Sequence, residues 1–171
     1  WNYSMNKNLV LIGMMGSGKS TIGKEISKKS NLKFKDTDQL IENCEKMKIR
    51  DIFDKKGEGY FRSIEEKVIL KTIKLPGQVI ALGGGSFLNK RIRSEILKNC
   101  ISFWLNCKSD IILNRISNNK KRPKLDFLNN REILNLINLR AKVYLKANYK
   151  VNCDNLNKLQ IAKKIIKIYE S

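Results

Sequence analysis

The strongest constraint on this chain is the run Gly13-Met14-Met15-Gly16-Ser17-Gly18-Lys19-Ser20, which fits G-x-x-x-x-G-K-[ST]. It stands between the apolar stretch Leu9 to Ile12, which reads as a buried strand, and a helical pattern from about Gly18 to Ser30 with Ile22 and Ile26 on one face. Glycines let backbone N–H groups approach phosphate oxygens, and a helix N-terminus adds partial positive charge aimed at the same anion. With glycine at about 7% of average composition, chance would bring the fixed positions together in only about one chain in a few hundred of this length. The run therefore implies a nucleoside triphosphate site. Gly16, Ser17, Gly18 and Thr21 would surround the phosphates, Lys19 would reach the β- and γ-phosphates, and the Ser20 hydroxyl would ligate Mg2+.

Beyond this loop, β-rich runs alternate with helical periodicity. Strands are expected at Leu32 to Lys35, Val79 to Leu82, Ile101 to Leu105 and Tyr149 to Val151. Helices are expected near 38–47, 58–74, 88–98, 109–117, 128–148 and 155–169, with Phe61, Ile64 and Val68 setting the spacing of the second. This alternation predicts an α/β fold of three layers, α/β/α, with a five-stranded parallel sheet and a single domain over residues 5–171. The polar, cationic stretch Ser117 to Lys124 is longer than a tight turn needs, so a mobile lid is expected over about 117–126.

Composition narrows the chemistry. A chain of 171 residues, 42% hydrophobic and 30% charged, has the make-up of one globular domain and not of a disordered or collagen-like one. Its net charge of +19 would attract polyanions. Yet the joint richness in Lys, Asn and Ile is what an AT-rich coding sequence imposes on a surface. Most of that charge is expected to be solvated, as with Lys158, Lys163, Lys164 and Lys167 opposite the apolar face of the last helix. The chain has no histidine, which removes imidazole bases, Ser-His-Asp triads and imidazole metal sites. Cys44, Cys100, Cys107 and Cys153 form no C-x-x-C pair and are expected as free core thiols in a reducing compartment. No stretch is long and apolar enough for a transmembrane helix, and Lys7 to Met15 lacks a signal-peptide cleavage pattern, so a cytoplasmic address is expected. Met5 reads as an initiator, and Trp1 to Ser4 are expected to lie outside the native sequence.

The phosphoryl acceptor must be inferred from the rest of the cleft. The third strand runs into Gly83-Gly84-Gly85 and not into a metal-holding aspartate, which puts bare backbone beside the phosphate loop. Asp36-Thr37-Asp38 ends the second strand, the edge at which ligands bind in such sheets. One of its carboxylates would orient Mg2+ water and the other would accept a hydroxyl proton, unless Asp38 merely caps the following helix. Arg140 falls within the apolar stripe Ile133, Leu136, Val143 and Ala147, where an arginine needs an anion. Arg62 opens a helix after Gly57-Glu58-Gly59-Tyr60-Phe61, and Arg122 lies in the expected lid, placed to close on phosphate.

Together, Gly13 to Thr21, Asp36-Thr37-Asp38, Gly57 to Arg62, Gly83 to Gly85, Arg122-Pro123 and Arg140 with Tyr144 resemble the shikimate kinase family, in order and at similar spacing over about residues 8–150. The resemblance implies a P-loop kinase of the nucleoside monophosphate kinase type that phosphorylates the 3-hydroxyl of shikimate with ATP and Mg2+. It implies Asp38 on the acceptor hydroxyls as base or orienter, and Arg62 and Arg140 on the carboxylate, with the Gly83, Gly84 and Gly85 backbone against the ring. Ser20, helped through water by Asp36, would hold Mg2+, while Lys19 and Arg122 would stabilise the transferring group. Arg115 is the candidate for stacking on adenine. The chain departs from the family at Lys124, where a leucine is usual, and at Lys158, near which some relatives carry a proline beside adenine.

Two rival readings compete with this one. A kinase for another hydroxy acid, such as gluconate, would keep the phosphate loop, but Gly83 to Gly85 and the paired aspartates favour shikimate. A basic nucleotide-dependent RNA-binding module would need exposed aromatics among its cations, whereas Phe61, Phe103 and Trp104 read as core. The expected partners are therefore ATP and shikimate, with no nucleic acid or membrane, acting on a monomer.

Overall fold

The computed structural model describes residues 7–118 and 128–171. Arg122 and most of the expected lid lie outside the described residues.

Strand β1 (Asn8–Ile12) is buried at every position. Its alternation splits the core in two, because successive side chains of a strand point to opposite faces. Leu9 and Leu11 pack with Ile22, Ile26, Val79, Phe103, Val151, Ile161 and Ile165. Val10 and Ile12 pack on the other face with Ile69, Ile80, Ile96, Trp104, Ile133, Ile137 and Tyr144. Helices α1 (Lys19–Lys29) and α7 (Lys158–Glu170) cover the first face. The second face is covered by α3 (Ile49–Thr72), α4 (Lys90–Asn99), α5 (Ser109–Ser117) and α6 (Asn130–Tyr144).

The strands β2 (Lys33–Asp36), β3 (Gln78–Ala81), β4 (Cys100–Asn106) and β5 (Tyr149–Asn152) complete a parallel sheet of order β2-β3-β1-β4-β5. The chain leaves β1 for β2 at one edge and later crosses to β4 on the other side. The carboxyl end of β1 therefore lies at the crevice where ligands bind in open α/β sheets. A three-layer α/β/α fold with a five-stranded parallel sheet is observed, as expected.

Helix starts follow local chemistry. Asn129 with Glu132 and Asn157 with Gln160 form capping boxes at α6 and α7. The Asn89 side chain accepts from the Arg91 and Ile92 amides and starts α4 after a short 3-10 turn at Ser86–Leu88.

The segment expected to be helical from 58 is longer, beginning at Ile49 and broken at Gly57, whose φ of 80° and ψ of 169° end one helical run and start another. Its buried line is also displaced. Phe61, Glu65, Ile69 and Thr72 are buried, while Ile64 and Val68 are half-buried. Helix α2 (Thr37–Glu45) packs on α3 through Ile41, Ile52 and Phe61. Of the cysteines only Cys100 is a core thiol; Cys44 is exposed, and Cys107 and Cys153 are half-exposed. Burial pushes the Cys100 thiol up to about 11. The lysines of α7 singled out in the sequence are exposed.

Candidate active site

The phosphate loop wraps the start of α1. Gly18, at φ 89°, is the N-cap, and no side chain caps the helix or places a carboxylate in its first turn. The helix end therefore presents N–H groups and partial positive charge without an internal anion. Lys19 is buried, and its Nζ donates to the carbonyl oxygens of Gly13 at 2.7 Å and Met14 at 2.8 Å. From α5, Arg115 lies across the loop and donates to Gly16 O at 2.6 Å, packing close to Gly16 and Gly18. Among the described residues the buried Ser17 hydroxyl has no hydrogen-bond partner.

Ser20 Oγ donates to Asp36 Oδ2 at 2.5 Å, joining α1 to the end of β2. Asp36 is also the cap of α2, its Oδ1 accepting from the amides of Asp38 at 3.0 Å and Gln39 at 3.2 Å. The capping role that the sequence leaves open to Asp38 thus belongs to Asp36. The Asp38 carboxylate lies against Gly83 instead, where a Cβ would come within 2.8 Å of its Oδ1. Thr37 Oγ1 accepts from the Gly83 amide at 3.0 Å, which fixes this turn to the start of α2.

The glycine turn after β3 is floor to two cations. A Cβ on Gly85 would sit 3.1 Å from both terminal nitrogens of Arg62 and 3.5 Å from Arg140 Nη2. A Cβ on Gly84 would sit 3.3 Å from Arg140 Nη1. Arg140 is buried in α6, and its Nη1 contacts Met14 Sδ of the phosphate loop at 3.7 Å. One turn on, Tyr144 donates to Gly84 O at 2.5 Å and packs against Trp104. The buried line of α6 is therefore Ile133, Ile137, Arg140 and Tyr144; Leu136 and Val143 flank it half-buried.

Glu65 escaped the sequence reading. Its side chain is buried and accepts from Arg62 Nη1 at 2.7 Å and from Ser86 Oγ at 2.7 Å, bridging α3 to the glycine turn. The signal was present: Glu65 sits between Phe61 and Ile69 at helical spacing, a carboxylate in an apolar line, just as Arg140 is a cation in one.

These parts open onto one cleft of about 1720 Å³, lined by the loop residues Gly16, Ser17, Gly18, Ser20 and Thr21 and, farther along, by Asp38, Arg62 and Arg140. Among the described residues no group of three or more acidic or thiol side chains could hold a metal ion. The Ser20 hydroxyl and Asp36 carboxylate offer hard oxygen donors, the kind Mg2+ takes when phosphates and water fill its other positions.

A phosphate loop at one end of the cleft, and a carboxylate beside paired guanidiniums at the other, define a P-loop kinase for a small anionic acceptor. The family model for shikimate kinase matches residues 15–170. The chain belongs to the shikimate kinase family. It is 41% identical to the shikimate kinase of Sulfurihydrogenibium sp. over 94% of this chain and 96% of that one. It is 40% identical to the shikimate kinase of Bartonella henselae over 95% of this chain and 78% of that one. The shikimate kinase of Acinetobacter baumannii, solved in complex with shikimate, superposes with a TM-score of 0.92 at 28% identity, covering 97% of this chain and 94% of that one.

Proposed function

We propose that this chain transfers the γ-phosphoryl group of ATP to the 3-hydroxyl of shikimate, giving shikimate 3-phosphate and ADP, a step toward chorismate and the aromatic amino acids. The observation that carries the reading is the convergence of Arg62 and Arg140 on Gly85, beside Asp38 and in the same cleft as the phosphate loop. Two guanidiniums over bare backbone suit a planar carboxylate, which they can bind through charge-assisted hydrogen bonds.

Phosphoryl transfer asks chiefly for alignment and charge neutralisation. Arg62, held by Glu65, and Arg140, held in the α6 line, would clamp the shikimate carboxylate, with the backbone of Gly83, Gly84 and Gly85 against the ring. Asp38 would orient the attacking hydroxyl and receive its proton. Gly16, Ser17, Gly18, Ser20 and Thr21 would cradle the ATP phosphates, Lys19 would exchange its loop carbonyls for phosphate oxygens, and Arg115 would border the nucleotide. Arg122 is assigned to the transferring group from its place in the sequence. Ser20, with Asp36 behind it through water, would hold Mg2+, which when bound neutralises charge on the phosphates.

No helix among the described residues is long and apolar enough to cross a membrane. The reading takes the protein as a cytoplasmic monomer acting on two small anions, without nucleic acid or membrane. A coupled ADP-release assay with shikimate and a panel of hydroxy acids including gluconate tests it. Shikimate should stimulate turnover far above the water-driven ATPase rate. Stimulation by gluconate in its place would sink the assignment.

A further inference from the structure

The registered pair Asn106 and Asn152 ends the parallel ladder of β4 and β5, held by Cys153 N donating to Asn106 O at 3.0 Å. Cys107 and Cys153 are thus the next opposed pair. Paired strands lie about 4.8 Å apart, inside the window of about 4.4–6.8 Å between Cα atoms that a disulfide spans. The two thiols lie near enough to shift each other's ionisation, and Cys153 Sγ donates to Val151 O at 3.5 Å. Both are half-exposed and line the cleft, and Cys107 Sγ also reaches Ser17 O of the phosphate loop at 3.5 Å.

We propose that Cys107 and Cys153 form a redox-active dithiol at the phosphate-loop end of the cleft, open to exchange with low-molecular-weight disulfides. The Cys153 thiol beside it pulls the Cys107 thiol below its ordinary range, helped by the Arg115 and Lys19 cations and opposed by burial and Asp154. The neighbouring Cys107 thiol, with burial, pushes Cys153 up. Cys107, set against the phosphate loop where Arg115 also lies, is therefore the attacking sulfur and Cys153 the resolving one. The Cys107 thiolate attacks a small disulfide, forming a mixed disulfide and releasing one thiolate. Cys153 then attacks Cys107 Sγ, its proton passing to the second leaving thiolate. Two protein thiols are oxidised and one disulfide is reduced to two thiols. Closing the bond takes the Cys107 S–H away from Ser17 O.

The effect on ATP rests on the nucleotide site proposed above; the thiol chemistry does not. The test uses the full chain carrying Cys44→Ser, which removes the exposed thiol, incubated with oxidised glutathione and followed by intact mass and peptide mapping. The expected product is lighter by two hydrogens and links Cys107 to Cys153, with the buried Cys100 unmodified. Adding Cys153→Ser should halt the reaction at a glutathione adduct on Cys107. No reaction, or separate adducts on both cysteines without a link, overturns the proposal. Saturating ATP should slow the linkage by about tenfold or more, and the linked protein should bind ATP about fivefold or more weakly until reduced. Linkage that proceeds unslowed and leaves ATP affinity unchanged upholds the dithiol and overturns the placement of ATP beside it.

Discussion

Arg62 and Arg140 come from different helices and meet over Gly85, so closely that one added methyl would touch both guanidiniums. The space above that glycine is the part of the cleft that a carboxylate would fill.

Gly85→Ala should therefore separate recognition from folding. Gly85 has φ −95° and ψ −8°, which alanine adopts without strain, so Tm should stay within a few degrees of the parent. The KM for shikimate should rise about tenfold to a hundredfold, the equivalent of about 1.4–2.8 kcal/mol, while the KM for ATP holds. Steady-state kinetics with each substrate varied decides it; equal rises in both would point to a distorted turn.

Asp36 and Asp38 should fail differently. Asp38→Asn keeps the α2 cap, so ATP binding and Tm should be nearly unchanged while kcat drops by about 10² or more. Asp36→Ala removes two amide contacts and the Ser20 bond, and should lower stability by about 1 kcal/mol or more. Nucleotide titrations alongside thermal melts separate the two. Lost ATP affinity in Asp38→Asn would reassign that carboxylate to the loop.

Tyr144→Phe leaves the ring on Trp104 and removes the bond to Gly84 O. Leaving a buried carbonyl unsatisfied costs about 1–3 kcal/mol, which for a chain of this size lowers Tm by about 2–10 °C. Calorimetry should show that drop, with a smaller rise in the KM for shikimate because the glycine turn loses its tie to α6.

Acid should loosen the contact between α2 and α3. Hydrogen bonds from Lys56 and Tyr60 hold Glu45 below its usual value of 4.5. The stabilisation is present above that value and disappears as pH falls through the lower folded value. Glu45→Gln should therefore melt below the parent near pH 7, and the two Tm curves should converge well below pH 4.5. A constant gap across the acid range would mean that the carboxylate charge is not what Lys56 and Tyr60 recognise.

Much of the fold and several parts of the site were legible because the signals were local. The phosphate loop, the strand before it, the glycine turn and Arg140 each carry a requirement within a few residues: left-handed backbone, apolar alternation, absent side chains, a cation in an apolar line. What escaped depends on how distant segments meet. Glu65 gains its meaning only when α3 brings it against Ser86, and the division of labour between Asp36 and Asp38 only when α1 places Ser20 beside one of them. The pairing of Cys107 with Cys153 follows from strand register, which no spacing in the chain encodes. Gly57 stands within a sequence motif, yet its role as a break between two helical runs appears only in its torsions.

The hold that Gly13 and Met14 carbonyls keep on Lys19 has an energetic consequence. An ammonium already solvated by its own loop cannot add its full attraction to an arriving phosphate, because two good hydrogen bonds must be surrendered first. Affinity then reflects the difference between two sets of partners, and the same carbonyls stand ready to reclaim the lysine when the product nucleotide departs. With Lys19 in the phosphate role proposed for it, the loop would carry an internal competitor that moderates tight binding on both sides of the reaction, which suits an enzyme that must let ADP go in order to turn over again.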